Sequence, residues 1–322
     1  MTDRPGKAAR SASPDRKTRA RSDASRPAAA LRVGLVVKRS VWQLDVQGGR
    51  RPQIRHLVRK EDPTVARLLA AHEEHTSTVE EVKAALREAN AQVKLLGRAG
   101  QGFDASECDL VVTVGGDGTL LAASHAVSGV PILGVNSAPS HSVGFFCGAK
   151  KGSARPAILA AMSGALPKTV LTRMAVRVNG QLVHNHVLNE ALYCHSSPAA
   201  TTRYILTLGD VVEEQKSSGF WIGPAAGSTA AQRSAGGRIL PLGSEKLQLV
   251  VREPYTPSGS KYKVIRALIP PGEVLRVRTK MHDAKLFFDG PDSVIDLDFA
   301  DTVEFARSDD PLTVLGLGRR AP

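Results

Sequence analysis

The chain has 322 residues, 42% of them apolar, enough to bury the cores of two domains, and no uninterrupted apolar stretch approaches the roughly 20 residues that cross a bilayer. Its formal charge of +12 does not call for nucleic acid: residues 1–30 hold eight Lys or Arg against three Asp, and the smaller excess on the body favours polyanionic small molecules. Cys108, Cys147 and Cys194 are odd in number and far apart, so they fit neither a disulfide framework nor a zinc site and suggest a reducing compartment, here the cytoplasm.

Residues 1–30 are rich in Ala, Ser, Pro and Arg and nearly free of large apolar side chains, which predicts a disordered basic tail. Asp3, Asp15 and Asp23 argue against an organelle transit peptide. The run Leu31–Lys38 reads as a buried strand. From Thr78, a hydroxyl suited to a helix cap, apolar residues recur at helical spacing through Leu86. Short strands are predicted at Gln92–Leu96, Asp109–Val114 and Val130–Asn136, with a helical pattern over Leu120–Ala126 between the last two. Strands alternating with helices predict an α/β domain with a parallel, doubly wound sheet over residues 31–170. Beyond about residue 170 the pattern turns to β-rich runs (Ala175–Val178, Tyr204–Leu208, Leu247–Val251, Val274–Arg278, Lys285–Phe288). Turn residues such as Asn179-Gly180 and Asp289-Gly290-Pro291 separate them and predict an antiparallel β domain over 171–305. The segment 306–322 is expected to pack back on the first domain.

Gly115-Gly116-Asp117-Gly118-Thr119 stands between the strand ending at Val114 and the helical pattern that follows. Closely spaced glycines at a strand-to-helix turn leave backbone N–H groups open to an anion, and open α/β sheets bind ligands at that end of their strands. A carboxylate seated there would repel phosphate unless it binds a cation or takes a proton, which makes Asp117 the first candidate for chemistry. The turn has neither the Walker lysine nor the spacing of the dinucleotide fingerprint. Farther on, Gly227-Ser228-Thr229-Ala230 and Ser234-Ala235-Gly236-Gly237 are small and hydroxyl-rich, as a loop with no ligand can also be. Asn189-Glu190 sets an amide beside a carboxylate, and one ligand could meet both only where a strand ends or bulges. His184 and His186 lack a third ligand at metal-binding spacing, and Trp221 beside Phe220 reads as core.

In this order, Gly115–Thr119, Asn189-Glu190, Gly227–Ala230 and Ser234–Gly237 resemble the signature of the NAD kinase family. His72-Glu73-Glu74-His75-Thr76, Gln215–Gly219, Val251–Pro254 and Phe288-Asp289-Gly290 look most like its mitochondrial-type branch. The resemblance implies an α/β domain followed by a β-sandwich-like domain, with the active site between them. It implies phosphoryl transfer from ATP or another donor to the 2′-hydroxyl of the adenosine ribose of NAD, with Mg²⁺ or another divalent cation and no protein metal ligand assigned. By position, Asp117 would be the base, and Gly115, Gly116, Gly118 and Thr119 would help hold phosphates. Asn189 and Glu190 would hold the dinucleotide's ribose and adenine side, and Gly227, Ser228, Thr229 and Ser234 would line the same pocket. A homo-oligomer is implied, with no nucleic-acid or membrane partner. Ser218 and Ala231 stand where the common bacterial pattern has Asp and Tyr. A lipid or sphingoid-base kinase sharing the glycine-rich element, or a non-catalytic NAD-binding protein, are the alternatives.

Overall fold

The structure is a computed structural model that describes residues 30–97, 102–256 and 261–318. The basic tail predicted over 1–30 thus falls, apart from Ala30, outside the described residues. No helix among those described is long and apolar enough to cross a membrane.

The α/β part opens with β1 (Arg32–Val37), a π-helical turn over Trp42–Gln47, α1 (Pro52–Arg59) and α2 (Leu68–Glu88). It continues with β2 (Gln92–Leu95), β3 (Leu110–Gly115), α3 (Asp117–Ser124), β4 (Ile132–Asn136), β5 (Cys147–Lys150), α4 (Ala154–Met162) and β6 (Lys168–Leu171). The antiparallel part holds β7 (Met174–Val178), β8 (Gln181–Val187), β9 (Ala191–His195), β10 (Thr202–Leu208), β11 (Val211–Ser217) and β12 (Phe220–Gly223). After a 3-10 turn at Ala225–Thr229 and α5 (Ala231–Ser234) come β13 (Leu247–Val251), β14 (Arg266–Ile269), β15 (Leu275–Thr279), β16 (Ala284–Phe288), β17 (Ser293–Leu297) and β18 (Thr302–Arg307). β19 (Leu312–Leu315) closes the chain by pairing parallel to β4 and antiparallel to β6 in the first sheet.

β1, β3 and β4 are mutually parallel in a seven-stranded sheet ordered β2-β1-β3-β4-β19-β6, with β5 on β4. β3 and β4 are buried along their whole length, which accounts for their continuous apolar reading. One face packs Val112, Val114 and Leu133 against Val82 and Leu86 of α2 and Ile158 of α4. On the other, Val111 and Ile132 share a cluster with Leu120 of α3, Phe146, and Leu188 and Ala226 from the antiparallel part. That second cluster presses α3 against the loops that follow β8 and β12.

The antiparallel part stacks two six-stranded sheets, β11-β10-β15-β18-β7-β8 and β14-β13-β12-β9-β16-β17, over one core. At its centre Tyr193 and Phe220 stack at 5.1 Å, while Tyr204 and Phe305 meet Phe220 edge-on at 5.4 and 5.8 Å. Offset and edge contacts of this kind suit the ring quadrupole, so the cluster ties the two sheets together.

Two expectations are corrected. α2 begins at Leu68, so Thr78 is no cap: it lies mid-helix and is fully buried, and its hydroxyl donates to the carbonyls of Glu74 and Ser137. Trp221 is not core, because alternation along β12 turns Phe220 inward and Trp221 toward a surface pocket.

Phe220→Ala should cost about 3–5 kcal/mol in urea unfolding, whereas Leu95→Ala, at a side chain 68% exposed, should change stability by less than about 0.5 kcal/mol.

Candidate active site

Asp117 is the first residue of α3, reached from β3 through Gly115 and Gly116. Both oxygens of its carboxylate are oriented by backbone: Phe145 N–H donates to Oδ2 at 2.8 Å and Phe146 N–H to Oδ1 at 2.7 Å. Each oxygen keeps lone-pair capacity for one more partner. A Cβ on Gly115 would stand 2.0 Å from Thr119 Oγ1, and one on Gly116 would stand 2.6 Å from Ser142 Oγ. Only glycine lets this turn close so tightly. Nothing lies within 4 Å of a Cβ built on Gly118, so the first turn of α3 has an open flank beside Asp117.

Around the turn, α2 is tied to the sheet's carboxyl edge by His75. Its Nε2–H donates to the Lys38 carbonyl at 3.1 Å, and its Nδ1 accepts from Ser137 at 2.8 Å. Burial, helped by the Lys38 charge, lowers His75 to about 4, so the ring is neutral as this pairing requires. Burial also lowers the Lys38 ammonium, which has no carboxylate partner among the described residues and stands at the end of β1 beside β3.

Asn189 and Glu190 fall in the break between β8 and β9, where adjacent side chains are free to converge. Their backbone is held by one buried carboxylate. Asp289, fully enclosed, accepts N–H bonds from Leu188 at 2.8 Å, Asn189 at 2.7 Å and Glu190 at 3.0 Å, and returns its own N–H to the Glu190 carbonyl at 2.9 Å. His125, directly after α3, donates Nε2–H to the same carboxylate at 2.6 Å. Asn189 Oδ1 and Glu190 Oε2 are buried and accept no hydrogen bond among the described residues. Buried acceptors without donors are costly, which marks them as sites for a ligand's hydroxyl or amine. Burial, with the Asp289 charge adding to it, raises the Glu190 carboxyl to about 7.

The small-residue cluster acts mainly by close approach. A Cβ on Gly223 or Gly227 would reach within 2.2 or 1.8 Å of the Asn189 carbonyl, and Gln232 donates to that same oxygen at 3.2 Å. Ser228 is fully buried and its hydroxyl is spent inside the loop, donating to Ala225 and accepting from Leu240 N–H. Thr229 is half-buried and Ser234 exposed. The Gly227 turn and the Asn189-Glu190 break thus meet directly, and α3, which Asp117 begins, packs Leu120 in one apolar cluster with Leu188 and Ala226 from those two loops.

Glu190 opens on a pocket of 320 Å³ lined also by Leu192, Trp221, Phe287, Gly290 and Pro291. A second pocket of 220 Å³ shares Leu192 and Phe287 with it and holds Ser218 and Arg252, whose guanidinium lies 5.9 Å above Trp221. Sequence reasoning missed Asp289 as an anchor, taking it as turn punctuation, and Trp221 as a pocket wall. The alternation of β12 could have found the second. His184, edge-on to His125 at 4.9 Å and lowered to about 4 by burial, packs between the two parts.

Residues 34–154 match the family model described as the ATP-NAD kinase N-terminal domain. A rice protein (Oryza sativa subsp. japonica) named Probable NADH kinase is 32% identical over 228 residues, which cover 64% of this chain and 70% of the rice protein. The chain belongs to the NAD kinase family. Another member, the NAD kinase of Methanospirillum hungatei, is 29% identical over 79% of this chain and 87% of its own length. The crystal structure of an NAD kinase from Archaeoglobus fulgidus in complex with ATP shares the fold, with a TM-score of 0.63, 20% identity and coverage of 88% of this chain and 93% of that one.

A raised carboxyl makes this NAD kinase-family site pH-dependent. Folded Glu190 keeps a proton that the unfolded chain releases near pH 4.5, so its contribution is present below that pH and lost as pH rises through about 7. Glu190→Gln should therefore be more stable than the parent at pH 8 by ~1–3 kcal/mol and equal to it near pH 4. Paired thermal unfolding across that range checks this, because the opposite trend from His75 and His184 is common to both chains.

Proposed function

We propose that the chain transfers the γ-phosphoryl group of ATP to the 2′-hydroxyl of the adenosine ribose of NAD or NADH, giving NADP or NADPH. The observation that carries this reading is an oriented carboxylate in an open glycine turn at the start of α3, together with two buried, donor-seeking side chains, Asn189 and Glu190, on the loop whose Leu188 packs with Leu120 of the same helix. A sugar and a base supply hydroxyl and amine donors for those acceptors. A diacylglycerol, with one free hydroxyl, would leave at least one of them unsatisfied, which weighs against that lipid as acceptor.

In the proposed step Asp117 accepts the 2′-hydroxyl proton through a remaining lone pair as the ribose oxygen bonds to the γ-phosphorus. The bond from that phosphorus to its bridging oxygen breaks, and ADP leaves. The N–H groups at the open flank of Gly118 face the phosphates, and Lys38, which follows β1 beside β3 and has no carboxylate partner among the described residues, is available to add positive charge. Asn189 and Glu190 fix the ribose so that the reacting oxygen meets the phosphorus in line. Mg²⁺ would neutralise phosphate charge. Among the described residues no three His, Cys, Asp or Glu side chains are grouped as a metal cage. Cytoplasmic residence and homo-oligomeric assembly belong to the same proposal.

Asp117→Asn should lower turnover by roughly 10²–10⁴. It should keep dinucleotide affinity within a few-fold by calorimetry. It should also cost about 1–3 kcal/mol of stability, because an amide N–H₂ would face the N–H of Phe145 or Phe146. Product analysis with NAD and NADH crossed against ATP and polyphosphate reads the reaction directly, and turnover near the parent's in the variant would remove Asp117 as the base.

A further inference from the structure

We propose that His125 is a positioning residue for phosphoryl transfer, locking Asp117 at a set distance from Asn189 and Glu190 through the Asp289 carboxylate. The inference rests on the roles proposed above for those residues. α3 has eight residues, so Asp117 at its start and His125 just past its end are joined by a rod about 12 Å long. The rod's far end is tied to the antiparallel part in three ways. His125 Nε2–H reaches Asp289 at 2.6 Å, the His125 carbonyl accepts Nδ1–H of His186 at 2.6 Å, and Arg173 donates to the Ser124 and Val127 carbonyls at 3.0 and 2.8 Å. The last two hold backbone carbonyls at and just past the helix end, and they would do so for any side chain at position 125.

The side-chain contact is different in kind. Asp289 spends its other acceptances on the N–H groups of Leu188, which shares Oδ2 with His125, and of Asn189 and Glu190 on Oδ1, so the carboxylate His125 holds is the one that holds the dinucleotide loop. If His125 is lost, the loop stays on Asp289, because three N–H donors remain, but α3 is freed from it. Binding by Asn189 and Glu190 then survives while the alignment of the ribose oxygen with Asp117 does not. Misplacement by about 1 Å is enough to cost a large factor in rate.

The experiment compares the full chain with His125→Ala and His125→Gln in ATP-dependent phosphorylation of NADH, with kcat expressed per NADH-binding site counted by calorimetry. His125→Ala should lose tenfold or more in kcat per site while the KM for NADH moves less than threefold. His125→Gln, whose amide can reach Asp289, should recover most of the loss. A merely structural role would lower the number of binding sites and leave kcat per site unchanged, and that result overturns the inference while the proposed function stands. A Gln variant as slow as the Ala variant overturns it too. If His125→Ala does not fold, His125→Asn, whose amide is too short to reach Asp289, gives the same reading. Absence of phosphorylated product from the parent chain with both NADH and NAD would overturn the functional reading and this inference together.

Discussion

One buried carboxylate organises this molecule. The Asp289 side chain sits without solvent contact at the end of β16, on a left-handed backbone (φ +50°), and accepts hydrogen bonds from three successive backbone N–H groups and one imidazole. A buried charge is tolerated only when its lone pairs are met, and here the partners that meet them are the loop carrying Asn189 and Glu190 and the residue ending the helix of Asp117. The electrostatic need of one side chain therefore fixes two functional segments more than 60 residues apart in sequence. Burial raises the neighbouring Glu190 carboxyl, and the Asp289 charge adds to that, since a second negative charge beside it is disfavoured.

The fold supplies what this constraint cannot. A parallel sheet gives a strand end from which a glycine turn can start a helix, and burial on both faces makes that strand end rigid. The antiparallel part contributes Leu188 and Ala226 to the same apolar cluster as Leu120 and Phe146, so α3 is clamped by packing along its side and by polar contacts at its end. Arg173 adds to the clamp. Fully buried, it reaches the end of α3 with one guanidinium nitrogen and pairs with Asp310 at 2.7 Å through another. The return of β19 into the first sheet, next to β4, draws Asp310 to this junction.

Local chemistry was legible in the sequence, and long-range chemistry was not. The strand, glycine turn and helix around Asp117 announce themselves through β-branched residues, missing Cβ atoms and helical spacing within a dozen positions. The Asn189-Glu190 pair could be flagged, together with the condition that the strand must break there, and the break between β8 and β9 meets it. Phe288-Asp289-Gly290 could be flagged as a branch motif, but the role of Asp289 as an anchor could not be read there, because its partners lie about 100 and 164 residues away. The hydroxyls of Ser228 and Thr78 looked like a ligand contact and a helix cap, yet both satisfy buried carbonyls, a demand that exists only once the chain is packed. Trp221 was misplaced because a Phe-Trp pair reads as apolar bulk until the strand's alternation assigns one ring to each face.

The central claim is geometric: a dinucleotide held at Asn189 and Glu190 presents its adenosine 2′-oxygen to Asp117. A crystal structure of the chain with NADH bound measures this most directly. The account predicts hydrogen bonds from the ligand to Asn189 Oδ1 and Glu190 Oε2 and a 2′-oxygen about 2.6–3.2 Å from a carboxylate oxygen of Asp117. A ligand that leaves those two acceptors unpaired, or that turns its 2′-oxygen away from Asp117, would contradict it.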